Sequence, residues 1–211
     1  MTNLVPIFPL SIVVYPGENL NLHIFEPRYR QLVNDCFSSK RPFGIPAMMD
    51  SGVAEMGTLL EVVEIVELYE DGKMDIKTKG IKIFRVLEII KSLPEKLYDG
   101  AIVTYPNNDE RQHVNLMQQV LADVRDLHRL IHVTKDFKKP DDELVSYDIA
   151  HHAGLNLSEE YELLSLMRED QRLQYLKKHL AKVLPIASGM ENLKEKIQLN
   201  GHFKELKGFN L

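Results

Sequence analysis

The chain of 211 residues contains one cysteine, Cys36. No internal disulfide can form, and with no other sign of export a reducing, cytoplasmic setting is expected. Long apolar runs are absent, none approaching the ~18 residues of a membrane-spanning helix. The start, MTNLVPIFPLS, lacks the basic stretch and apolar core of a secretory signal, so neither a membrane nor an export route is expected. Phosphate-binding loops of the GxxxxGK[ST] and GxGxxG types do not occur, which excludes those two routes to nucleotide chemistry. The GxSxG nucleophile elbow is missing too; Ser188, in PIASGM, reads as part of a turn after Pro185. No cofactor is implied by any of these patterns, and no enzymatic activity has a motif to support it.

What is present describes a globular protein of one large or two small domains. Hydrophobic residues make up 44% and charged residues 27%, enough for a core without covalent staples. The net charge of −5 argues against wholesale binding of nucleic acid or anionic lipid. A local exception is the stretch with Lys77, Lys79, Lys82, Arg85, Lys91 and Lys96, which reads either as the solvent face of strands or as the one patch that could attract RNA.

The pattern divides the chain at TYPNNDERQH. Before it, short apolar or alternating runs are broken by Pro6, Pro9, Pro16 and Gly17, the punctuation of strands and turns. One helix interrupts them after Pro27, with Tyr29, Leu32, Val33 and Cys36 at helical spacing; Cys36 thereby reads as a small core residue. Asp71-Gly72 marks a hairpin between two long strands, and Gly57 and Gly80 mark bends or bulges. After Pro106 the period becomes helical, from Met117 through Val120, Leu121, Val124 and Leu127 to Ile131. A short helix around LVSYDIAHHA is expected to end at Gly154, the next is expected to be capped by Ser158, and another is expected to stop at Pro185. The fold class is therefore α+β: a strand-rich lobe over 1–106, a helical bundle over 107–200 and a tail over 201–211.

Candidate chemistry is sparse. His128 and His132 are four apart, the spacing of helical metal ligands, but no third ligand stands near them, and no metal site is assigned. His151 and His152 are adjacent and would diverge by about 100° on a helix, one facing the core and one solvent. Asp141, Asp142 and Glu143 form an acidic run of the kind that is normally solvated. In the corner HIFEPRYRQLVNDCF, Phe25 is expected to close a strand on the core and Glu26 to pair with Arg30, which leaves Arg28 without a local partner.

The stretch PIFPLSIVVYPGENLNLHIFEPRYRQLVNDC resembles the start of the Lon protease N-terminal domain family, the substrate-recognition domain of that protease. GTLLEVVEIVELYEDGKMDIKTKGIKIFRV is similar to its second signature, and LLSLMREDQRLQYLKKHL to its closing helices. The resemblance spans about residues 4–184 and implies a PUA-like, partly closed barrel followed by a helical bundle. It implies a stand-alone, non-catalytic module, since neither an ATPase nor a Ser-Lys protease segment is present. The expected partners are apolar or unfolded protein segments, together with a separate ATPase or protease. Phe8, Tyr15, Phe25, Arg28 and Tyr29 are the candidate peptide-binding residues.

Overall fold

The computed structural model describes residues 3–206, with side chains described through Glu191. The chain divides into two compact units, 1–110 with 155–169 and 111–154 with 170–211. The first unit thus recruits Leu155–Glu169, a segment that lies beyond the first helices in sequence.

In the first unit, β1 (Asn3–Pro6), β2 (Asn19–Ile24), β3 (Phe43–Met49), β4 (Gly52–Leu68), β5 (Met74–Ile90) and β6 (Gly100–Thr104) form one antiparallel sheet, with α1 (Pro27–Ser39) between β2 and β3. Its order is β1-β6-β5-β4-β3, and β2 pairs with the first half of β5. The chain after β1 crosses to β3 through bridges Ile7↔Gly44 and Leu10↔Ala47, which closes the sheet upon itself. Strands first and helices later, the α+β class read from the sequence, is the observed architecture.

The hairpin of β4 and β5 turns at Asp71-Gly72, with Gly72 at φ 79°. Its long strands do not alternate as a simple strand should, and the register shows why. Val63 and Val66 on β4, and Ile81 and Leu87 on β5, are skipped by the pairing. Each is the extra residue of a bulge, and each carries an exposed aliphatic side chain. The run VVEIVEL therefore keeps Val62 and Ile65 packed on the core while every third residue is displaced outward.

Gly80 and Gly57 lie at close approaches. A Cβ at Gly80 would stand 2.3 Å from the Tyr15 carbonyl oxygen, and one at Gly57 would stand 2.5 Å from that of Ile45. Beneath the sheet, Leu32, Val33 and Cys36 of α1 pack with Phe43, Leu60 and Ile76. A second cluster gathers Val5, Ile7, Leu59, Phe84, Ala101 and Val103. The helix α4 (Leu157–Leu164) joins this unit through tyrosines: Tyr15 Oη donates to the Glu160 carbonyl at 3.1 Å, and the Met56 amide donates to Tyr161 Oη at 3.2 Å. Asn156, not Ser158, caps α4; its side chain accepts from the Glu159 amide while the Glu159 carboxylate accepts from the Asn156 amide. Two residues upstream of Ser158, Asn156 has the extended backbone a cap needs.

The second unit contains α2 (Val114–Leu130), α3 (Ser146–Ile149), a single 3₁₀ turn over Ala150–His152, and the bulk of α5 (Glu169–Leu206). Met117, Val120, Leu121, Val124 and Leu127 are buried as their spacing requires, whereas Ile131 lies past the helix end and is exposed. Pro185 does not end a helix: α5 runs through it, and through Gly201, to Leu206. Proline's fixed φ is helical, and the carbonyl it leaves without an amide belongs to exposed Ala181, where water can serve. Ser188 is consequently helical and not in a turn. Of the expected tail 201–211, residues 207–211 lie outside the described part of the chain.

Candidate functional site

The corner after β2 builds the site. Pro27 occupies the first turn of α1, where its missing N–H costs nothing, and Glu26 precedes it in extended backbone. Helical spacing then turns Tyr29 inward, onto the ring of Phe8 at 3.8 Å between centroids. Arg28 lies over the other part of that stack, 4.5 Å from the Tyr29 ring centroid. Its Nε donates to Glu26 Oε2 at 2.8 Å. The expected pairing of Glu26 with Arg30 is thus replaced: Arg28 takes Glu26, and Arg30 donates to the Asp71 carbonyl at 2.6 Å, tying α1 to the hairpin turn.

Phe8, Glu26, Arg28 and Tyr29 line a groove of about 470 Å³ in the first unit. Its floor is Phe8 and Tyr29; Leu10, Met48, Val53, Ile89 and Leu97 supply apolar walls, and Glu26, Arg28, Lys91 and Asp99 its polar rim. Both floor rings are buried to 7% exposure, so they present edges to a ligand rather than whole faces. Burial also pushes the Tyr29 phenol above its ordinary pKa, with Arg28 opposing.

Of the five candidate residues, the groove brings together Phe8, Arg28 and Tyr29. Tyr15 is fully buried, its hydroxyl engaged with α4, and offers no surface. Phe25 does not close the strand on the core: it is 59% exposed, beside the ring of His23. The core position falls instead to Ile24, 2% exposed, because the alternation of β2 carries Ile24 inward as the strand ends. Sequence reasoning missed the walls contributed by Met48, Val53 and residues 89–99, which no spacing rule links to the corner.

The other candidates disperse. His128 Nε2 donates to the His152 carbonyl at 3.0 Å, whereas His132 lies past the end of α2 at φ 56°, so the two do not share a helix face. Among the described residues no group of three or more His, Cys, Asp or Glu is arranged to hold a metal. Among the same residues no helix is long and apolar enough to cross a membrane. The lysines of β5 meet glutamates of β4: Lys77 Nζ lies 2.8 Å from Glu64 Oε2, and Lys79 stands opposite Glu61. Lys82 caps the Tyr105 ring at 3.7 Å. This cross-strand matching breaks up the basic stretch. Burial, helped by neighbouring Asp35, pushes the Cys36 thiol up to about 12, far from a nucleophile.

The sequence profile of the ATP-dependent protease La (LON) substrate-binding domain matches residues 4–182. The chain belongs to that family. Two solved structures share its fold. A Lon N-terminal domain protein from Xanthomonas campestris is 22% identical, with a TM-score of 0.62 over 83% of this chain and 98% of its own. The N-terminal domain of the Mycobacterium avium complex Lon protease is 12% identical, with a TM-score of 0.61 over 85% and 98%. This member of the LON substrate-binding family is accordingly a non-catalytic substrate-recognition module.

Proposed function

We propose that this LON-family module captures exposed apolar or unfolded protein segments in the groove of its first unit. The observation that carries this reading is the groove itself: an apolar floor and walls with a few charged groups at the rim, in a chain whose family binds substrates. Folded proteins hide the side chains such a surface accepts, so selectivity for unfolded chains follows from burial alone. Phe8 and Tyr29 form the floor, and Arg28 offers a planar cation whose charge Glu26 already balances. An extended segment adds backbone hydrogen bonds to such side-chain contacts. The setting is a reducing cytoplasm, where a separate ATPase or protease acts on what is captured.

Immobilised protein incubated with the folded and unfolded forms of one substrate tests this. Retention of the unfolded form alone is expected; equal and negligible retention of both removes the proposal.

A further inference from the structure

One wall of the groove is not a strand. Between the end of β5 at Ile90 and the start of β6 at Gly100, the chain forms a strap in which Ser92 and Glu95 both adopt φ of 61°. Left-handed backbone is disfavoured for residues with a Cβ, so other contacts must hold it there. They come from α1. Gln31 Nε2 donates to the Glu95 carbonyl at 3.0 Å, and Gln31 Oε1 accepts from the Leu97 amide at 2.7 Å. One turn on, and on the same helix face, Asp35 Oδ2 accepts from Lys96 Nζ and from Tyr98 Oη, both at 2.8 Å.

The two bonds of Gln31 are of opposite sense and fix its carboxamide in one orientation, since a flip would set donor against donor and acceptor against acceptor. The clamp brackets Leu97, which stands 64% exposed in the groove wall. An exposed leucine on a free loop would be one of many conformers. Clamped on both sides, its backbone is held in one place, and the loop ordering that binding would otherwise require has already been met by folding.

We infer that Gln31 is a positioning residue for the groove: it touches no ligand, but its carboxamide clamp holds Leu97 in place for an incoming unfolded segment. This rests on the reading of the groove as the binding site.

The test uses the full chain and reduced, carboxymethylated ribonuclease as the unfolded probe. Gln31→Ala and Leu97→Ala are each expected to weaken binding about fivefold, the scale of ordering one wall element. The double variant is expected to bind no more weakly than Leu97→Ala alone, because a clamp with nothing to position has no effect. Exchange of the Leu97 amide should quicken in Gln31→Ala. Gln31→Glu, which keeps the acceptor for that amide, should retain most of its protection even where Gln31→Ala destabilises the fold. Independent losses multiplying to about 25-fold in the double variant, or unchanged Leu97 exchange in Gln31→Ala, would overturn the inference. Wild-type protein that binds the probe while Gln31→Ala binds equally well refutes the clamp alone. Wild-type protein that ignores the probe refutes the groove as well.

Discussion

Arg28→Ala separates a structural corner from a binding surface. In the structure Arg28 makes two interactions, the 2.8 Å ion pair with Glu26 and the 4.5 Å contact over Tyr29. Its side chain is 51% exposed and that of Glu26 38%, so solvent screens the pair, which is worth about 0.2–1 kcal/mol. An exposed cation–π contact adds about 0.5–1 kcal/mol. Removing both should cost about 1 kcal/mol, and so lower Tm by about 2–4 °C in a chain of this size. Binding is expected to respond as well. A rim arginine stacked on the groove floor contributes about 1 kcal/mol to a contact, a loss of about fivefold in affinity. Calorimetric or fluorescence melting beside titration with the unfolded probe reads both quantities on one preparation. Arg28→Lys keeps the charge and gives up the planar stack, so its affinity should lie between the two. A Tm loss above about 8 °C would show that Arg28 holds the corner against another element. Unchanged affinity with the small Tm loss would show that the ligand does not touch it.

Three further expectations follow from packing and charge. Gly80→Ala places a methyl 2.3 Å from the Tyr15 carbonyl and disturbs the Gly17 amide to Gly80 carbonyl bond at 2.9 Å and the Gly80 amide to Glu18 carbonyl bond at 2.8 Å; a loss of about 3–5 kcal/mol in a denaturant titration is expected, and a loss below about 1 kcal/mol contradicts the close approach. Cys36, with its thiol near 12, should react with a maleimide at pH 8 on the order of 10³-fold more slowly than an exposed thiol, and fast labelling of native protein would contradict its burial. The Asp35 carboxyl is held below its usual range by Lys96 first and by Tyr98 as well, with burial opposing. Its stabilising contribution is therefore complete above the unfolded carboxylate value near 4 and is lost as pH falls through the lower folded value. In Asp35→Asn the acid limb of a stability–pH profile should flatten over that window, and an unaltered limb would show that the anchor to the strap is not formed.

Local residue chemistry was enough to read much of this architecture. The spacing of Tyr29, Leu32, Val33 and Cys36 predicts a helix with that face buried, and all four are buried on α1. Asp71-Gly72 predicts the hairpin, because Gly72 alone accepts the positive φ that the turn demands. The motifs around the corner likewise identify the family, since they encode the turn and packing chemistry of one particular fold. The structure departs from these expectations partly where a distant segment decides the pairing and partly where a neighbouring residue takes the role. Glu26 chose Arg28 over Arg30 because α1 swings Arg30 to the hairpin turn at Asp71. Pro185 was no stop, because a helix already nucleated on both sides tolerates one missing amide at an exposed carbonyl.

The corner itself is therefore a local matter: helical period and proline at the first turn are set by neighbours within a few residues, whereas Arg30 meets Asp71 and Phe8 meets Tyr29 only in the fold. The groove is not a local matter. Phe8, Arg28, Met48 and Leu97 meet only because the sheet closes through Ile7↔Gly44 and Leu10↔Ala47 and because Gln31 and Asp35 hold the strap. Such contacts depend on strand register and on hydrogen bonds between segments more than sixty residues apart, and no periodicity along the chain encodes those.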